Sequence, residues 1–240
     1  MCYNLPMNET LNFIDWFKRT PEWQVMSATV ENSPWHREKN VAVHTEMCIE
    51  QYLRNFVPYR NEHQNKIALL ALLFHDAGKP AAEETKEKKD GSGLYRSYAG
   101  HEQNSAVAFT EIWLKTPHLR EFVSAEDARA IRFIIEHHLP YGLKDKQKRT
   151  ALRTAVAHTL REDEATFFDV LRSDAAGRIS DDYETKLQNV ETWINEFKPV
   201  PFIVNKVDTK MGTCYILVGP SGSGKSTWFE ANRNANTRLV

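Results

Sequence analysis

The chain has 240 residues, 41% of them hydrophobic and 26% charged, with a formal net charge of −1, which is enough to bury a full core in one large domain or in a domain with an appendage. The near-zero charge excludes a global attraction to nucleic acid, so any such binding must come from a local patch. Three widely spaced cysteines, Cys2, Cys48 and Cys214, argue against a disulfide framework or a paired-cysteine zinc site; with no apolar run of roughly 18 residues and no basic-then-apolar start, the expectation is a cytoplasmic protein with no membrane contact.

From about residue 40 to 197 the apolar residues recur at helical spacing: Val41, Cys48 and Tyr52; Ile67 to Phe74; Ala106, Phe109 and Trp113; Ile131, Ile134 and Ile135; Phe167, Val170 and Leu171; Leu187, Val190, Trp193 and Ile194. The pattern predicts an all-α helical bundle. Ser124 with Asp127 three residues on reads as a capping box, and "KEKKDGSG" (86–93) as a charged loop between helices. After "NEFKPVP" the character changes, because "PFIVN" (201–205) and "CYILVG" (214–219) are short strand-like runs. A boundary near residue 200 follows, giving an expected helical domain over 1–200 and a different segment over 201–240.

The histidines carry the chemistry. His44 stands at i+3 from Val41 and i−4 from Cys48, so it points from its helix toward the core, and Asp174 does the same relative to Phe167, Val170 and Leu171. His44, His75, His101, His137 and His138, with Asp76 and Asp174, all sit in a recurring relation to the inward faces. Buried imidazoles and carboxylates cost several kcal/mol each unless compensated, and a divalent cation compensates several at once.

The series His44, then His75-Asp76, then Asp174 on successive helices resembles the HD superfamily of metal-dependent phosphohydrolases, over roughly residues 30 to 185. The surrounding text, "SPWHREKNVAVHT" (33–45), "HDAGKP" (75–80), "YAGHEQNSA" (98–106), "EHHLPYG" (136–142) and "SDAAGR" (173–178), is similar to the corresponding segments of HD domains, including those attached to tRNA nucleotidyltransferases. The resemblance implies that His44, His75, Asp76 and Asp174 hold one metal. In the two-metal branch, His101, His137 and His138 would hold a second, with Asp76 bridging. Mixed imidazole and carboxylate ligands suit Mn, Fe, Co, Ni or Zn better than Mg or Ca. Some HD enzymes keep similar histidines as phosphate contacts around a single metal, so one or two ions are expected. His36, His63, His118 and His158 are given no role, although His36 lies in the matched text and could contact substrate.

On this resemblance the chain is expected to be a phosphatase or phosphodiesterase, with Asp76, Lys79 and Arg178 as catalytic residues. Lys79, and Arg178 four residues past Asp174 on the same helix face, would neutralise charge developing on the phosphoryl oxygens. Gly78 would let the chain turn away after the His75-Asp76 pair.

The second motif, "GPSGSGKST" (219–227), fits G-x-x-x-x-G-K-[ST], with Gly219, Gly222, Gly224, Lys225, Ser226 and Thr227 as the phosphate-cradling loop between a strand and a helix. Its wording resembles the P-loop of polynucleotide kinases, and the two motifs together resemble bifunctional RNA end-healing enzymes. In those, the HD module removes a 2′,3′-cyclic phosphate or 3′-phosphate. With 15 residues after Lys225 (240 − 225), the segment reads as the strand, loop and helix that begin a truncated α/β kinase domain. Kinase activity is not expected, and ATP with Mg would bind only to a complete module. RNA 3′ ends are the expected substrate; the alternatives are a nucleotidase or cyclic-nucleotide phosphodiesterase on small nucleotides, and a binding module whose site no longer reacts. The oligomeric state is not legible.

Overall fold

The structure is a computed structural model that describes residues 6–33, 36–88, 91, 93–197, 227 and 229–230. By contact the chain divides into two compact units, Met1–Phe202 and Ile203–Val240. In the second unit residues 227, 229 and 230 are helical and Thr227 is exposed. The expected strands over 201–205 and 214–219 and the loop residues Gly219, Gly222, Gly224, Lys225 and Ser226 lie outside the described residues.

The first unit is mostly helical. Its helices are α1 (Pro6–Phe17), α2 (Pro21–Ala28), α3 (Val41–Asn55), α4 (Glu62–Phe74), α5 (His101–Lys115), α6 (Pro117–Phe122), α7 (Ala125–Glu136), α8 (Lys146–Leu160), α9 (Glu164–Ala176) and α10 (Tyr183–Glu196). At its centre lies α4. Asn61 and Gln64 start it with a reciprocal capping box, and every residue from Ile67 to Phe74 is buried. A helix apolar on all sides must be surrounded, and α1, α3, α7 and α9 pack around this one. Fully burying each of its leucines stabilises the fold by about 2 kcal/mol.

The same logic sets the neighbours. On α3, Val41, His44, Thr45, Cys48, Ile49 and Tyr52 are buried at helical spacing, and Asn40 caps the helix by accepting the Val43 N–H at 2.9 Å. The expected capping box of Ser124 and Asp127 opens α7. Residues 6–28, outside the run read as helical in the sequence, form α1 and α2; Thr20 caps α2 with Pro21 at its first position, a favourable start because proline lacks only a donor that has no partner there.

The all-α expectation needs one correction. Two antiparallel ribbons interrupt the helices: β1 (Val30–Ser33) with β2 (His36–Asn40), and β3 (Glu84–Glu87) with β4 (Leu94–Ser97). The first has a register irregularity between Glu31 and Ser33, with Lys39 at φ 85° opposite Glu31. In the second, Lys86 and Glu87 of the expected charged loop over 86–93 belong to β3 and pair with Tyr95 and Leu94. Both ribbons flank the same end of the bundle: the Arg96 N–H donates to Asn32 Oδ1 at 3.0 Å, and Tyr98 Oη donates to the Val30 carbonyl. None of the helices among the described residues is long and apolar enough to cross a membrane.

Candidate metal centre

Helix ends gather at one point. His75 and Asp76 follow the last residue of α4, His101 is the first residue of α5, His137 and His138 follow α7, and Asp174 lies in the last turn of α9. His44 comes from the first turn of α3. Helix C-termini leave backbone carbonyls without intrahelical partners, and three of the histidines use such carbonyls for orientation, while His101 uses the Tyr98 carbonyl just before α5. His75 Nδ1 faces the Leu72 carbonyl at 2.7 Å, His101 Nδ1 that of Tyr98 at 2.7 Å, His138 Nδ1 that of Ile135 at 2.7 Å, and His44 Nδ1 that of Gly177 at 3.0 Å. A carbonyl can only accept, so each Nδ1 carries the proton and each Nε2 is the free ligand atom.

These four Nε2 atoms surround one carboxylate. Asp76 Oδ2 lies 3.4 Å from His44 Nε2 and 3.3 Å from His75 Nε2. Asp76 Oδ1 lies 2.9 Å from His101 Nε2 and 3.7 Å from His138 Nε2. The imidazoles also face one another: His44 Nε2 and His75 Nε2 are 3.2 Å apart, and His101 Nε2 and His138 Nε2 3.3 Å. Asp174 Oδ1 completes the first group at 3.1 Å from His44 Nε2 and 3.7 Å from His75 Nε2. Separations of about 3–4 Å between donors suit atoms that share a cation at about 2.0–2.2 Å.

The electrostatics point the same way. Burial opposes the charges of Asp76 and Asp174, yet His75 and Lys79 around the first, and Arg178 and His44 around the second, hold both carboxyls well below the usual range. Burial also opposes a charge on His75, but the adjacent Asp76 raises its pKa; His138, buried beside His75 and His101, is pushed down to about 3. Asp76 Oδ2 is buried without a well-aligned hydrogen bond, even though Lys79 Nζ stands 2.8 Å away. That contact is a close charge pair rather than a directed bond. A buried carboxylate oxygen without a directed hydrogen bond among opposed imidazole nitrogens forms a place for positive charge, and these buried groups can hold a metal ion. His44, Cys48, His75 and Asp174 form one compact set of donors, and His75, Asp76 and His138 another.

His137 stands apart. It caps α7 with Nδ1 2.9 Å from the Phe133 carbonyl, and its ring stacks on Phe133 at 4.4 Å. Among the described residues no contact joins it to Asp76 or to the other site histidines, so it is removed from the ligand set. Neighbouring residues at a helix end point about 100° apart, and the structure directs His138, not His137, inward.

Lys79 and Arg178 line a cleft of about 240 Å³ above Asp76, with His36, Tyr98, His101 and His138 among its other walls. Lys79 is 3% exposed and sits between Asp76 and Glu31, with Glu31 Oε1 at 2.6 Å. Arg178 Nη2 reaches both oxygens of Asp174, at 2.9 and 2.7 Å. It does not share the helix face of Asp174, because α9 ends at Ala176 and Gly177 caps it. The glycine after the His75-Asp76 pair also serves differently from the expectation. Gly78 has φ −88°, an ordinary value, but a Cβ there would lie 2.2 Å from the Ser105 backbone N on α5. Close packing, rather than a special turn, requires glycine.

Sequence reading missed Cys48, Glu31 and Glu38. Cys48 Sγ lies 3.5 and 3.7 Å from the two nitrogens of His44. Being almost equally far from both, it packs over the ring rather than along the Nε2 lone pair, and burial pushes its thiol pKa well up. Its place one turn after His44 was the available signal. Glu31 and Glu38 on the first ribbon had none, since charged residues in a four- or five-residue strand read as surface.

No family model matches this chain, and no curated protein or solved structure matches it either.

Proposed function

We propose that this chain is a divalent-cation-dependent phosphohydrolase of the HD type, acting on 2′,3′-cyclic phosphate or 3′-phosphate ends of RNA. The observation that carries the reading is the division of one carboxylate: Asp76 turns Oδ2 to His44 and His75 and Oδ1 to His101 and His138. His44, His75, Asp76 and Asp174 would hold one cation and Asp76, His101 and His138 a second, and imidazole-rich donors favour Mn, Fe, Co, Ni or Zn. Bound there, the cations would supply Lewis acidity that polarises a phosphoryl oxygen and lowers the pKa of water.

The chain's own residues do the remainder. Their Nδ1 contacts to backbone carbonyls hold the imidazoles in one tautomer and one orientation. Arg178 and Lys79 present fixed positive charge at the cleft, where a phosphoryl group gains negative charge during the reaction. Glu31 keeps Lys79 charged and in place: burial opposes that charge, but Asp76 and Glu31 outweigh it and raise the Lys79 pKa. RNA as substrate rests on the polynucleotide-kinase wording of residues 219–227.

The test is metal analysis followed by phosphate release from a 3′-phosphorylated oligoribonucleotide, its 2′,3′-cyclic form and free nucleotides, assayed side by side. The reading expects bound transition metal, activity on the RNA ends, and abolition of activity in Asp76→Ala with helical content intact. Full activity in that variant, or no hydrolysis by a metal-loaded wild type, would end it.

A further inference from the structure

His36 lines the cleft but is not among the donors around Asp76. It opens β2, and its ring stands edge-on to that of His44, with centroids 4.9 Å apart and planes at 88°. Its Nδ1 is buried and without a hydrogen-bond partner, and Glu38 Oε2 is in the same condition. The two atoms face each other at 3.5 Å. Each buried polar atom left without a partner costs roughly 1–3 kcal/mol, so the arrangement is not explained by stability. The His36 side chain is 14% exposed; because Nδ1 is buried, that exposure belongs to the rest of the ring, on the side that lines the cleft with Lys79 and Arg178.

A metal-ligand role fits poorly. The compact donor set that includes His36 needs Glu38 and His44, and the His44 nitrogen nearest Glu38, Nδ1 at 3.8 Å, already faces the Gly177 carbonyl. A role at the substrate fits better. Glu38 Oε1 accepts the Ile179 N–H at 2.7 Å, and the Arg37 N–H donates to the Ile179 carbonyl at 3.0 Å. These two bonds lace β2 to the segment that carries Arg178, so His36 and Arg178 keep a fixed relation across the cleft.

We propose that His36 is a substrate-contacting residue of the cleft, that the edge of its ring turned to the cleft meets the phosphoryl group or ester oxygen of a bound phosphate ester, and that Glu38 is the positioning residue behind it. The substrate class rests on the phosphohydrolase reading; the contact to phosphate can be measured without it. With its one proton on Nε2, the neutral ring can donate from the cleft edge to a phosphoryl oxygen.

The experiment compares wild type with His36→Ala, His36→Gln and Glu38→Gln in four measurements: metal content, thermal melting, phosphate release from a 3′-phosphorylated oligoribonucleotide, and affinity for inorganic phosphate. His36→Ala is expected to keep its metal and to melt no lower than wild type, because an unpartnered polar atom has been removed. Its kcat/KM should fall by about a hundredfold, the size typical of losing one charge-stabilising contact, and its phosphate affinity by about tenfold. His36→Gln, whose amide reaches to a similar depth, should recover part of both. Glu38→Gln should fall between wild type and His36→Ala. Equal phosphate affinity in wild type and His36→Ala overturns the proposal, as does loss of a metal equivalent together with activity, which would make His36 a ligand. If the wild type hydrolyses none of the substrates, the phosphohydrolase reading falls, and the phosphate affinities still decide the role of His36.

Discussion

One glycine shows how tightly single residues hold the site. Gly177 caps α9, and a Cβ at that position would stand 2.4 Å from Cys48 Sγ and 2.7 Å from the Cys48 backbone N. Gly177→Ala is therefore expected to destabilise the fold by about 3 kcal/mol in urea titrations, the upper part of the range for overpacking, and to loosen His44, whose Nδ1 faces the Gly177 carbonyl. Adding Cys48→Ala should recover only part of the loss, since the Cys48 backbone remains in the way; full recovery would place the conflict in the sulfur alone. Six site residues were legible as residues. His44 and Asp174 fall on inward faces by spacing, and His75, Asp76, His101 and His138 stand in the text that resembles HD domains. His137 was not distinguishable from His138, because the choice depends on the backbone angle where α7 ends. The division of Asp76 between two imidazole pairs was legible only as an implication of that resemblance, since the positions of two oxygens on one side chain leave no trace in spacing.

At the scale of elements, helices announced themselves and ribbons did not. A run such as Ile67 to Phe74, rich in Leu and Ala, favours a surrounded helix, whereas β1 to β4 are four or five residues each, mostly charged or polar, and gain their pairing from neighbours rather than from an alternating pattern. Yet the first ribbon reaches the centre of the site, because Glu31 on β1 binds the buried Lys79 that follows α4. The pair can be tested as a coupled unit. Lys79→Met leaves the Glu31 carboxylate buried without its cation and should cost about 3–5 kcal/mol, as for other broken buried pairs. Glu31→Gln should cost less, because Lys79 retains Asp76 at 2.8 Å. In the double variant the losses should fall short of their sum by about 1–3 kcal/mol, read from urea unfolding as a double-mutant cycle. Additive losses would mean that the ribbon is tied to the site by something other than this pair.

For the whole molecule, the buried tyrosines set the expected alkaline limit. Burial, joined by the nearby Glu31 and Glu83 carboxylates, pushes Tyr98 up to about 12. Tyr52 and Tyr141 are raised by burial as well. A group whose folded pKa exceeds its unfolded one contributes stability that is complete below the unfolded value, about 10 for tyrosine, and is lost as pH rises through the folded value. The urea midpoint should thus stay level up to about pH 9.5 and fall between about 10 and 12, with a shallower fall in Tyr98→Phe. Constant stability across that interval would show that the phenols ionise as freely in the folded chain as in the unfolded one.

The second whole-molecule expectation concerns the division at Phe202. Among the described residues the buried apolar core runs from Phe13 to Phe197, and the six residues converging on the candidate metal centre are buried within that span. A core of this extent has the apolar burial of an independent domain. A chain ending at residue 202 should keep its melting temperature within about 2 °C, since a loss of 1 kcal/mol in a domain of this size shifts melting by about 2–4 °C. It should bind metal in the same stoichiometry and release phosphate from the same substrates. A fall of more than about 5 °C would correspond to more than 1 kcal/mol and would mean that residues 203–240 complete the core. Unchanged melting with lost activity on RNA ends, but kept activity on free nucleotides, would instead assign those residues to holding the polynucleotide.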